Sequence, residues 1–176
     1  MAFWDASVAV PAEVRRKLAE GILALLGNEW REWRARPTLA VQGYSDASLE
    51  QWCFMVDPCA VTDNQAITQW GFFPPELRAC GIYEKEAYAL TRLVDHITAY
   101  PAAFVARTGV DNMGVIGTWN KGFTLNEAVL EMLMASHAKL QLSGSSLVTE
   151  YIESKANPAD KYTRKLTREH PFYVPN

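Results

Sequence analysis

Four acidic residues stand out by their positions: Asp46 in "YSDAS", Glu86 in "YEKEAYAL", Asp111 in "GVDN" and Asp160 in "NPAD". Three of them have ordinary local readings. Asp46 suits a turn, Asp111 can cap a following helix, and Asp160 falls at the third position of a helix capped by Asn157 and started by Pro158. Glu86 is harder to place. Around it Ile82, Ala89, Leu90, Leu93 and Ile97 form one arc at helical spacing, and Glu86 projects into the middle of that arc while Glu84 points to solvent. A carboxylate on an apolar stripe is costly unless it is paired, holds a cation or lies at the rim of the core. Four carboxylates gathered in one place cannot all stay ionised without compensating positive charge. All-oxygen ligands select hard ions such as Mg²⁺ or Mn²⁺. Two such ions roughly 4 Å apart hydrolyse phosphodiesters, one activating water and the other stabilising the leaving oxygen.

The elements that must gather these acids can be read from the pattern. Val14, Leu18, Ile22, Leu25 and Leu26 recur at helical spacing, which predicts an amphipathic helix from Pro11 to about Trp33, closed by Pro37. Extended runs follow at "TLAVQGYSDAS", "QWCFMVD" and "AITQWGFF", joined by short turns, as in an antiparallel meander. After Pro74 and Pro75, a helix runs from Ile82 to about Tyr100. The nearly continuous apolar run "AAFVARTGVDN" is then expected as a buried strand ending at Asp111. Helices are predicted over about 112–120 and 124–142, a fifth strand at "LVTEYIE" and a short last helix at "NPADKYTRKLT". This order implies an α/β fold, a mixed sheet with helices packed on it. If the first and fourth strands lie parallel and adjacent, Asp46 and Asp111 emerge together at their carboxyl ends.

Bulk properties narrow the options. The chain has 176 residues, room for one domain and an extra arm. It is 49% hydrophobic and 21% charged, with no apolar run long enough to span a membrane and no pattern of a signal peptide at its start. A net charge of -3 argues against coating nucleic acid by charge alone, although "REWRAR" and "KYTRKLTR" are locally basic. Cys53, Cys59 and Cys80 are odd in number and lack zinc-type spacing, so reduced thiols in a cytoplasmic or nuclear setting are expected. No exposed apolar seam stands out, and a monomer is expected.

Together, and in this order, "YSDAS", "YEKEAYAL", "GVDN" and "NPAD" followed by Thr163-Arg164 resemble the four signature blocks of ribonuclease H. The resemblance covers about residues 38 to 168. It is similar to the retroelement kind attached to reverse transcriptases, including those of hepadnaviruses and DIRS-type elements. It implies a ribonuclease H-like fold, a five-stranded mixed sheet of three antiparallel strands plus two parallel, flanked by helices. Residues 1–37 would form an N-terminal helical extension and 38–176 the ribonuclease H domain. It further implies that Asp46, Glu86, Asp111 and Asp160 are catalytic and bind two Mg²⁺ ions, or Mn²⁺. Asp46 would bridge both ions, with Glu86 and Asp111 on one and Asp160 on the other. The implied reaction is endonucleolytic cleavage of the RNA strand of an RNA/DNA hybrid, leaving a 3′ hydroxyl and a 5′ phosphate.

Glu86 is preferred to Glu84 by the family's Glu-x-x-Ala spacing, met by Glu86 and Ala89, and independently by the helical face. Asp63 in "TDNQ" resembles the "GVDN" block but precedes Glu86 in the chain, which excludes it. Ser48 and Asn112, beside the acids, are candidate nucleic-acid contacts and equally suit turn positions. Two departures are visible. "IESKANPA" lacks the histidine that many members carry there, His96, His137 and His170 lying elsewhere, which bears on turnover. The chain also has no Tyr-x-Asp-Asp polymerase motif, so a reverse transcriptase partner would belong to a parent polyprotein or a separate protein. The leading helix with Trp30 and Trp33 is expected either to pack on the nuclease core or to be a remnant of that connection. The competing functions are a catalytically silent module that binds nucleic acid or protein, and a DNA-cutting transposase or resolvase nuclease, whose last acid "NPAD" fits poorly.

Overall fold

The computed structural model describes residues 11–26 and 39–164, and the chain divides into two compact units, Met1–Arg36 and Pro37–Asn176. In the first, helix α1 spans Ala12–Leu26, where the apolar spacing predicts it. Trp30, Trp33 and Pro37 lie outside the described residues.

The second unit runs β1 (Leu39–Ala47), β2 (Gln51–Val56), β3 (Ile67–Phe72), α2 (Pro75–Arg78), α3 (Ile82–Thr98), β4 (Phe104–Val110), α4 (Met113–Lys121), α5 (Glu127–Ser143) and β5 (Ser146–Tyr151). The strands order as β3-β2-β1-β4-β5 in one sheet. β1, β2 and β3 pair antiparallel, whereas β4 lies parallel to β1 and β5 parallel to β4. This is the expected mixed sheet. Its turns follow from local chemistry. At the β1–β2 turn the Ser48 hydroxyl accepts from the backbone N–H of Glu50 and Gln51, at 3.3 and 3.0 Å. Between β2 and β3, Asp63 and Asn64 adopt left-handed φ values of 51° and 58°, which short polar side chains tolerate. "TDNQ" is therefore a turn.

α3 crosses one face of the sheet. A Cβ at Gly43 would lie 3.1 Å from Leu93 Cδ2, so the glycine lets the helix approach β1 closely. Trp52, Phe54, Leu90, Leu93, Ile97 and Phe104 fill the core there, each contributing about 1.5–3 kcal/mol through burial. On the opposite face, Cys53 and Trp70 are buried with Ala159, and Tyr44 and Tyr162 pack beside them. The chain after β5 thus folds back over the antiparallel half of the sheet.

Four details differ from the sequence reading. The last segment forms two 3-10 turns, Ser154–Ala156 and Asp160–Tyr162, instead of one helix through Tyr162, because Asn157 between them turns inward to bond β1. Asp160 consequently opens a 3-10 turn and is not the third residue of an α-helix; residues beyond Arg164 lie outside the described ones. Ile82 is 43% exposed, since it precedes Glu86 by one turn and overhangs the strand ends. Glu84 is half-buried and accepts a 2.7 Å bond from Asn126 Nδ2 at the start of α5. The outer face of β4 is open at Arg107, which pairs across the ladder with Glu150 at 3.4 Å.

Candidate metal centre

Register brings two of the acids together. β1 and β4 pair in parallel from Leu39 opposite Phe104 to Tyr44 opposite Gly109, and the same offset carried two residues further sets Asp46 level with Asp111. Asp46 is the penultimate residue of β1, and Asp111 follows β4 directly. α3 supplies the third acid. Glu86 lies in its second turn, on the face pressed against the sheet, and its carboxylate accepts a hydrogen bond from the backbone N–H of Ala47. Asp46, Glu86 and Asp111 each offer one carboxylate oxygen, and these oxygens all lie within 4.8 Å of one another. Asp46 and Glu86 are each 3% exposed, and Asp111 is half-buried.

Burial and mutual repulsion disfavour the ionised forms. Glu86 is pushed up to about 9, chiefly by desolvation and then by the charges of Asp46 and Asp111, against the weaker opposing bond from Ala47. Asp46 is raised to about 6 by desolvation, opposed by a hydrogen bond from Thr163. Glu86 Oε2 has no protein hydrogen-bond partner despite its burial. An orphaned buried oxygen costs on the order of 1–3 kcal/mol. Three carboxylates whose oxygens converge within 4.8 Å, with one buried Glu86 oxygen lacking a protein partner, are a hard donor set that fits a Mg²⁺- or Mn²⁺-class cation.

Asp160 stands beside this trio without belonging to it. Its charge raises both Asp46 and Glu86, while its own Oδ1 accepts from Arg164 at 2.6 Å and from Ser154 at 3.3 Å. Two neighbours anchor its turn. Asn157, 4% exposed, donates from Nδ2 to the Ser45 carbonyl at 2.9 Å and accepts from the Ala159 N–H at 3.1 Å. Thr163, 2% exposed, donates its hydroxyl to Asp46 Oδ2. Ala47, Ser48, Ile82, Asp160 and Arg164 line an open cleft of about 500 Å³ at the strand ends. Ser48 uses its hydroxyl within the β1–β2 turn. Asn112, half-buried, caps α4 through its Oδ1, which accepts from Gly114 and Val115; no hydrogen bond of its Nδ2 is made among the described residues.

Three contributors escaped the sequence reading. Thr163 reads there only as part of a motif, and Asn157 only as a helix cap and the first residue of "NPAD". Lys85 did not enter it, yet it is 2% exposed and its Nζ donates to the carbonyls of Leu49 and Arg78 at 2.7 and 3.0 Å while lying over the Phe73 ring. It ties the turn after Asp46 to the approach to α3. No side-chain spacing signals such a role, because both partners are backbone carbonyls, one of them 36 positions away.

Neither a protein-family model nor a curated protein matches the sequence. Solved structures match the fold. A ribonuclease H1 from the halophilic archaeon Halobacterium salinarum overlays with a TM-score of 0.55 at 11% identity, covering 69% of this chain and 92% of that one. The N-terminal ribonuclease H domain of a Mycobacterium tuberculosis protein gives a TM-score of 0.47 at 12% identity, over 70% of this chain and 88% of that one. A foamy viral protease-reverse transcriptase in complex with an RNA/DNA hybrid gives 0.45 at 7% identity, over 79% of this chain and 22% of that one. At such identities the likeness is one of fold. The five-stranded mixed sheet with its flanking helices is a ribonuclease H-like fold, and its acidic cluster is compatible with divalent metal binding.

Proposed function

We propose that this chain is a metal-dependent ribonuclease H of retroelement type that cuts the RNA strand of RNA/DNA hybrids. The observation that carries the reading is the convergence of Asp46, Glu86 and Asp111 oxygens within 4.8 Å at the carboxyl ends of two parallel strands. These three would hold the cations, with Asp160 serving the second ion from the edge of the cleft. Bound cations supply an activated water and charge stabilisation for the leaving oxygen. Asp46, Glu86 and Asp111 would hold the ions in place, and Glu86 would coordinate in its ionised form. Water adds to phosphorus and the bond to the 3′ oxygen breaks, leaving a 3′ hydroxyl and a 5′ phosphate. The hybrid would be read by its shape and 2′-hydroxyls more than by sequence. Asn112, whose Nδ2 is not used in capping α4, is the better suited of the two candidate contacts; Ser48 is committed to its turn. The retroelement attribution rests on "NPAD" and Thr163-Arg164, and a reverse transcriptase would be the associated polymerase in a reducing intracellular setting.

The test is cleavage of an end-labelled RNA/DNA hybrid in Mg²⁺, in Mn²⁺ and in chelator, beside single-stranded RNA, duplex RNA and duplex DNA, with Asp111→Asn as control. Metal-dependent cutting of RNA only in the hybrid, lost in the variant, is expected. Hybrid bound but left intact even in Mn²⁺ would mark a silent module, and cutting of duplex DNA a transposase-like enzyme.

A further inference from the structure

Asp46 has one described side-chain partner, and it comes from the far end of the chain. The Thr163 hydroxyl donates to Asp46 Oδ2 across 117 positions of sequence, and the same hydroxyl lies 3.0 Å from the carbonyl of Asp160. Thr163 is 2% exposed, so this bond is made away from water and holds one fixed geometry. Its backbone N–H also returns to the Asp160 carbonyl, at 3.3 Å, closing the turn on which Asp160 sits. A single residue therefore touches the carboxylate on β1 and the turn that presents the fourth acid.

Resting on the metal-site reading above, we propose that Thr163 is a positioning residue for metal binding: its hydroxyl fixes the Asp46 carboxylate so that the remaining oxygen faces the cation, and it couples Asp46 to Asp160. Asn157 is the companion anchor, holding the same segment to the Ser45 carbonyl without touching a carboxylate. This division separates two roles. Loss of Asn157 loosens the segment, whereas loss of the Thr163 hydroxyl frees the carboxylate while the segment stays in place. Hydrogen-bond partners that orient metal-binding carboxylates typically govern about 10–100-fold in affinity.

The experiment is calorimetric titration of the whole protein with Mn²⁺ alone, in one buffer at one pH, for the parent, Thr163→Val and Thr163→Ser, with thermal unfolding of each in chelator. Valine keeps the shape and removes the hydroxyl; serine keeps the hydroxyl. Mn²⁺ binding weakened about tenfold or more in Thr163→Val, with unfolding in chelator near that of the parent, and restored to within about twofold in Thr163→Ser, is expected. Hybrid cleavage by Thr163→Val should then recover as Mn²⁺ is raised. Parent-like Mn²⁺ affinity in Thr163→Val, or a loss in Thr163→Ser as large as in valine, overturns the positioning role alone. If Thr163→Val does not fold, the serine variant decides: weakened Mn²⁺ binding in it overturns the role, and parent-like binding together with parent-like cleavage supports it. A parent that binds no Mn²⁺ overturns the metal-site reading itself.

Discussion

Replacing Glu86 by glutamine should make the metal-free protein more stable. Glu86 is raised from an ordinary value of 4.5 to about 9 by burial and by its acidic neighbours. At neutral pH the unfolded chain carries this group ionised and the folded chain carries it protonated, so folding takes up a proton. Across roughly 2.5 pH units at about 1.4 kcal/mol each, that uptake costs on the order of 3 kcal/mol. Glutamine is neutral in both states, keeps an oxygen to accept the Ala47 N–H, and adds a donor beside Asp46. Imperfect amide geometry offsets part of the gain, leaving a stabilisation of about 1–3 kcal/mol, or ~3–10 °C in Tm for a chain of this length. The sign with pH is fixed by the same shift. Because the folded state binds more protons, the parent loses stability as pH rises from about 4.5 towards 9, and its deficit against Glu86→Gln grows over that window. Thermal and urea unfolding in chelator across this range measures both. Saturating Mg²⁺ should reverse the ranking, since only the parent offers the full carboxylate trio. A folded Glu86→Gln that is no more stable than the parent in chelator at neutral pH, with a gap independent of pH, would refute the electrostatic account of the site.

Metal binding should release protons, a large share of one from Glu86 and a fraction from Asp46 at neutral pH, and affinity should fall as pH drops through the Asp46 range near 6; calorimetry in buffers of different ionisation enthalpy reads both. Asn157→Ala removes two buried hydrogen bonds and should cost about 1–3 kcal/mol, with hydrogen exchange rising selectively over residues 154–163. Lys85→Met keeps the stem but leaves the Leu49 and Arg78 carbonyls without their shared donor. It should destabilise by about 1–3 kcal/mol in urea unfolding and speed exchange at the β1–β2 turn.

Much of the architecture was legible because it is encoded locally. Alternating runs closed by Ser48 or by Asp63-Asn64 define strands and turns within a few residues. The arc from Ala89 to Ile97 sets the buried side of α3, and Glu86 declares itself by breaking that arc. What failed was also local reasoning applied where distant partners decide. "NPADKYTR" carries the caps of a helix, yet Asn157 spends its amide on the Ser45 carbonyl 112 positions away, and the segment bends into 3-10 turns around that bond. Lys85 reads as a surface lysine until the carbonyls of Leu49 and Arg78 enclose it.

By itself, the sequence determined the five strands and the longer helices, the sheet's mixed character and which four acids deserved attention, since these depend on periodicity, turn residues and short motifs. Tertiary structure alone decided that Asp46 stands level with Asp111, that burial raises Glu86 and, less far, Asp46 above the usual carboxylate range, and that Asp160 sits beside the trio rather than within it. Those outcomes depend on strand register and desolvation, which arise only when residues far apart in the chain pack against one another.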